Sequence, residues 1–191
     1  MGVYLFLHRE DPRRIVDFEE GRRDHWDYFR FDIPDDRQIV VSAPERIEVS
    51  KHATLSLDKY WDLLLFMLCE PYRSQASPQS PGIEDLHLDD PLYWTIAGAN
   101  VAEYDTGQDY PLRYSTIPQV QQIEDALTQV TFDDLRPFAK EDAMRQAGIY
   151  RSSTYVHSSQ EEDIFARILM CLQLHYHNAA ENGQIMIHEW L

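Results

Sequence analysis

The stretch Leu57-Ser-Leu-Asp-Lys-Tyr-Trp-Asp-Leu-Leu-Leu-Phe-Met-Leu-Cys-Glu70 is apolar almost all the way round a helix, with Asp62 set in its middle. A helix that is apolar on every face is buried on every face. This segment is therefore expected to be the centre of the fold, with Asp58 as its cap and Pro71 marking its end.

Working outward from that centre, Val3 to Leu7 is a short apolar run of strand formers. Asp11-Pro12 reads as a helix start, with the helix running to about Phe29 and carrying Arg13, Arg14, Arg22 and Arg23 on a solvated, mixed-charge face. Gln38 to Ser42 reads equally as a strand or a loop. Downstream, Ser74 to Gly82 is a polar loop. Asp90-Pro91 opens a short helix to about Ala97, with Gly98 as its C-cap. Leu112 to Ile117 reads as extended. Val120, Ile123, Leu127 and Val130 form an amphipathic stripe on a helix begun by Pro118. Two short helices follow, opened by Thr131 and Lys140.

Ser159 with Glu162 has the spacing of a capping box. The helix behind it places Phe165, Ile168, Leu169, Leu172, Tyr176 and Ala179 on one face, and Asn182-Gly183 ends it. Gln184 to Trp190 alternates as a terminal strand. First and last strands separated by helices predict an α+β fold. The expected form is a single compact domain over residues 1–191, mostly helical around a small central sheet that includes both terminal strands.

The 191 residues carry a net charge of −16. Residues 1–73 contribute −4 and residues 74–191 contribute −12. Between Ser74 and Leu112 there is no Lys or Arg, whereas Glu84, Asp85, Asp89, Asp90, Glu103, Asp105 and Asp109 all fall there. Such a surface repels phosphate backbones and disfavours nucleic acid and anionic membranes. A basic protein partner suits it, and so does plain solubility. No signal peptide and no apolar run long enough for a membrane span are read, so a cytoplasmic location is expected. Cys69 and Cys171 sit in apolar runs and read as buried free thiols.

Several of these pieces, in order, resemble the YfbM-like family, the bacterial domain of unknown function 1877. Asp58-Lys59-Tyr60-Trp61-Asp62-Leu63-Leu64-Leu65-Phe66 is similar to its Asp-Lys-x-Trp-Asp-x-Leu-His-aromatic motif. Asp90-Pro91-Leu92 through Ile96-Ala97-Gly98 resembles its Pro-Leu-x-x-Ala-Ile-x-Gly segment. Pro111-Leu112-Arg113-Tyr114 with Pro118 and Val120 resembles its Pro-Ala-Arg-Tyr-Leu-Thr-Pro-x-x-Val segment, and Ile149-Tyr150 its Ile-Tyr-Pro. Leu65 replaces the motif's His, and Arg151 replaces the Pro. The resemblance implies a single-domain α+β fold and no particular activity.

Candidate chemistry is sparse. Asp62 in an apolar helix needs a partner. Arg113 is the candidate, as a structural pair or as part of a ligand pocket formed by Trp61, Asp62, Arg113 and Tyr114. His175 and His177 are two apart, which on a helix points them away from each other, so no metal site is read there. His87 beside Asp89 and Asp90 lacks calcium-loop spacing, and Asp90 is explained as a helix cap. No P-loop, Gly-x-Ser-x-Gly or Gly-x-Gly-x-x-Gly pattern is present. No cofactor or metal is therefore expected. The sequence favours a non-enzymatic binding module, in the manner of an immunity or inhibitor protein occluding a basic toxin domain. Its acidic residues 84, 85, 89, 90, 103, 105 and 109 would form the contact. The alternative is a small-ligand-binding protein or hydrolase with its site near Asp62, Arg113 and Tyr114.

Overall fold

The two ends of the chain meet as neighbouring strands at the centre of one sheet. The computed structural model describes residues 4–19, 38–40, 54–58, 60–76, 88–102, 110–149 and 159–190. The strands are β1 (Leu5–Glu10), β2 (Gln38–Val40), β3 (Thr54–Asp58), β4 (Asn100–Val101), β5 (Arg113–Ser115) and β6 (Ile185–Trp190). They lie in the order β2-β3-β1-β6-β5-β4. β2 pairs parallel with β3, and every other neighbour is antiparallel. β1 runs past the predicted end at Leu7 as far as Glu10, because β6 pairs with it along its whole length.

The helices are α1 (Arg13–Glu19), α2 (Trp61–Leu68), α3 (Glu70–Gln75), α4 (Pro91–Ala97), α5 (Ile117–Thr128), α6 (Phe132–Leu135), α7 (Glu141–Gln146) and α8 (Ser159–Glu181). A short 3-10 turn, Arg136–Phe138, follows α6. Asp11 caps the start of α1 by accepting from the Arg13 amide at 2.9 Å, as its Asp-Pro signature predicts. The expected continuation of α1 to Phe29 and the Ser159–Glu162 capping pair lie outside what is described.

The central segment departs from its expected form. Leu57 and Asp58 belong to strand β3, so Asp58 is not the cap of the helix; Tyr60 occupies that position. The helix then breaks at Cys69 into α2 and α3. Cys69 is extended, and its sulfur accepts from the Tyr72 amide at 3.4 Å. Pro71 sits in the first turn of α3, where its missing N–H costs nothing. Arg73 Nη1 donates to the Phe66 and Met67 carbonyls at 2.9 and 2.8 Å, which satisfies the end of α2.

Burial follows the expected stripes. Leu63 through Cys69 are buried, Val120, Ile123 and Leu127 of α5 are buried, and all six predicted α8 residues are buried. They pack with Leu5, Leu7, Leu55, Leu57, Met186 and Trp190 on one face of the sheet. A smaller cluster of Ile15, Ala102, Leu112, Ile185 and Ile187 covers the other face. β6 is consequently buried along its whole length despite its alternating pattern. α8 ties the helices together: Gln173 Nε2 donates to the Leu127 and Val130 carbonyls at the end of α5, and the Tyr176 hydroxyl donates to the Thr95 carbonyl of α4.

Candidate functional site

Alternation along β5 decides which of the expected pocket residues meet. Arg113 is paired with His188 and shares its face of the sheet, beneath the helices, where it is buried at 3 % exposure. Tyr114 is half-buried and packs with the smaller cluster on the opposite face. Trp61 is half-buried and meets Trp190 edge-on, with ring centroids 4.8 Å apart. Asp62 lies in the first turn of α2, half-buried rather than enclosed, and accepts a hydrogen bond from the Tyr72 hydroxyl at 3.1 Å. Burial, reinforced by the Asp62 charge, pushes the Tyr72 phenol far above its ordinary range.

Arg113 instead contributes to a cleft of about 340 Å³ lined also by Leu88, Asp89, Tyr93, Trp94, Gly98, Ala99 and Gln119. Trp61, Asp62 and Tyr114 are not among its lining residues. Each wall has a local cause. Asp90 accepts from the Leu92 and Tyr93 amides at 2.7 and 3.2 Å, starting α4 and carrying Tyr93 and Trp94 into the cleft. The Trp94 indole donates to the Leu88 carbonyl at 2.9 Å and holds the entering chain. Gly98 ends α4 at φ +74°, a region that L side chains rarely adopt.

Gln119 is fixed by its capping role. Its Oε1 accepts from the Thr116 amide, the Thr116 hydroxyl and Asn100 Nδ2, at 2.9, 2.8 and 2.6 Å. With the oxygen committed to three donors, the amide cannot flip, and its Nε2 remains as a donor oriented by the fold. Asp89 is exposed and makes neither hydrogen bond nor ion pair among the described residues.

Of the seven acidic residues singled out in the sequence, the structure describes two. Asp90 is committed to its cap, and Asp89 stands at the cleft. Glu84, Asp85, Glu103, Asp105 and Asp109, with His87, lie outside the described residues. No group of three metal-ligating side chains is found among the described residues. His175 is buried and His177 exposed, on opposite sides of α8 as their spacing predicts.

A buried polar system crosses the sheet that the sequence analysis did not single out. Thr54 Oγ1 lies 2.9 Å from His8 Nδ1, and His8 Nε2 lies 3.1 Å from Glu189 Oε2, all three being buried. It links β3, β1 and β6 with polar contacts that fit only in register. On the helix-covered face, His188 Nδ1 donates to the Ile96 carbonyl at 3.0 Å and His175 Nε2 to the Leu7 carbonyl at 3.2 Å. Burial, with Arg113 and His8 adding to it, lowers His188 to about 3. Burial and then Arg9 lower His175 in the same direction. Nothing in spacing or periodicity marks these residues, because their partners lie 46 to 181 positions away.

A mixed six-stranded sheet with its helical layer on one face defines an α+β protein, with a cleft where α4 meets β5 and α5. Over residues 1–188 the chain matches the domain of unknown function DUF1877, and it belongs to that family. Its structure is similar to the crystal structure of YfbM, a protein of unknown function from Escherichia coli. The TM-score is 0.60 and the identity 18 %, over 98 % of this chain and 99 % of that one. No curated protein matches the chain. No helix among the described residues is long and apolar enough to cross a membrane.

Proposed function

We propose that this protein is a small-ligand-binding protein whose site is the cleft between α4, β5 and the start of α5. The observation that carries this reading is the placement of Arg113: this buried residue is among the lining of a recess walled by Tyr93 and Trp94, with the fixed Gln119 amide beside it. A concave site with aromatic walls and a few placed polar groups is the usual form of a ligand pocket. The reading keeps Arg113 from the sequence-based site and replaces Asp62 and Tyr114 with Asp89 and Gln119. It is tested by screening a metabolite library for thermal stabilisation of the protein and of its Arg113→Gln variant. Hits that stabilise the parent and not the variant support it; hits indifferent to the substitution sink it.

A second reading is favoured by the charge of −16. In it the protein is a cytoplasmic acidic module, of the immunity or inhibitor kind, that occludes a basic toxin or effector domain. Electrostatic steering would make association fast and salt-sensitive. A pull-down from the native host at low and high salt, with neighbouring gene products included, decides it. A stoichiometric basic partner weakened by salt supports the module, and no partner under either condition removes it.

A further inference from the structure

Three buried nitrogens between α8 and the sheet meet no hydrogen-bond partner among the described residues: His175 Nδ1, His188 Nε2 and Asn178 Nδ2. The two histidines are 1 % and 0 % exposed. Each ring gives its other nitrogen to a backbone carbonyl, His175 Nε2 to Leu7 and His188 Nδ1 to Ile96. A carbonyl only accepts, so those nitrogens carry the proton. Burial keeps both rings neutral. The unpartnered ring nitrogens are therefore lone pairs that require a donor, while Asn178 Nδ2 is a donor that requires an acceptor. Leu7, which anchors His175, is the register partner of His188. Asn178 lies three residues beyond His175, on the same face of α8.

We infer that α8 and β6 enclose ordered water that donates to His175 Nδ1 and His188 Nε2 and accepts from Asn178 Nδ2. Water balances this set, because each molecule donates twice and accepts twice. Enclosed waters characteristically sit on buried polar groups left otherwise unsatisfied. An anion would meet two lone pairs and no free N–H of either ring. A metal ion is the competing occupant, since a ligating histidine also donates its other nitrogen to a carbonyl. Against it, no group of three metal-ligating side chains is found among the described residues.

The test is made on the 15N-labelled protein. Multiple-bond 1H–15N spectra of the rings should show the proton on Nδ1 of His188 and on Nε2 of His175, opposite tautomers in one molecule. Water-to-ring NOEs should show long-lived water at both rings and none at His177, which is exposed on the far side of α8. Asn178→Leu should delete the water contact at His175 and leave its tautomer unchanged. Stoichiometric zinc should leave the spectra of both buried rings as they are. Either ring in the other tautomer, long-lived water missing from either ring, or a contact at His175 that survives Asn178→Leu would overturn the water site. Ring shifts that saturate with stoichiometric zinc would also overturn it and put a metal in its place.

Discussion

A Cβ placed on Gly98 would stand 2.9 Å from the Cβ of Arg113 and 3.2 Å from both the His188 ring and the Tyr114 amide nitrogen. The end of α4 therefore rests directly on β5, and this contact sets the floor of the cleft. Gly98→Ala combines that overlap with a φ of +74° that alanine disfavours. It is expected to cost about 2 kcal/mol or more, read as a loss of roughly 5 °C in Tm. An unchanged Tm would show that α4 lifts away from β5 at little cost.

Acid should weaken the fold through His188. Its folded pKa, lowered to about 3 from 6.5, means that the native state holds it neutral while the unfolded chain takes up a proton as pH falls below 6.5. Stability from this group is thus intact above pH 6.5 and declines toward pH 3 by about 1.4 kcal/mol per unit. His175 acts with the same sign. Urea unfolding at pH 7 and pH 5 should show a drop that is smaller by about 2 kcal/mol in His188→Asn. An equal drop in parent and variant would place the acid sensitivity elsewhere.

The two thiols are expected to be inert in the folded protein. Burial raises Cys69 to about 11, and it raises Cys171 in the same direction. At neutral pH the reactive thiolate is scarce and covered. Alkylation by iodoacetamide should proceed at the rate of unfolding and accelerate in urea. Rapid labelling of either residue without denaturant would contradict the packing around Cys69 or α8.

Tyr72→Phe tests what Asp62 does. The tyrosine joins α3 back to the first turn of α2 through Asp62, across the break at Cys69. Losing this half-buried hydrogen bond to a carboxylate is expected to cost about 1 kcal/mol. Asp62→Asn, which keeps an acceptor, should cost less. Neither substitution should alter ligand binding at Arg113, because neither residue lines the cleft. Impaired binding in both would reinstate Asp62 as part of the site.

The helices and their ends were legible because the signals that specify them are local. The Val120, Ile123, Leu127 stripe and the α8 stripe are buried as their 3.6-residue period predicts. Asp11, Asp90 and Gly98 do what capping chemistry requires of them. The misreading of Asp58 as the helix cap has an equally local origin. A short apolar run has no distinguishing period, and it is pairing with β1 on one side and β2 on the other that makes Thr54–Asp58 a strand.

By itself, then, the sequence determined the α+β class, the terminal strands and the buried helix faces, since periodicity, capping residues and Gly-Pro punctuation act over a few positions. The tertiary structure alone decided the site. Strand alternation sends Arg113 and Tyr114 to opposite faces, the break at Cys69 gives Asp62 to Tyr72, and packing of α4 on β5 brings Asp89 and Gln119 to Arg113. These meetings join residues that no periodic signal relates. They depend on which elements bury their apolar faces against one another, and that is settled only when the whole core packs.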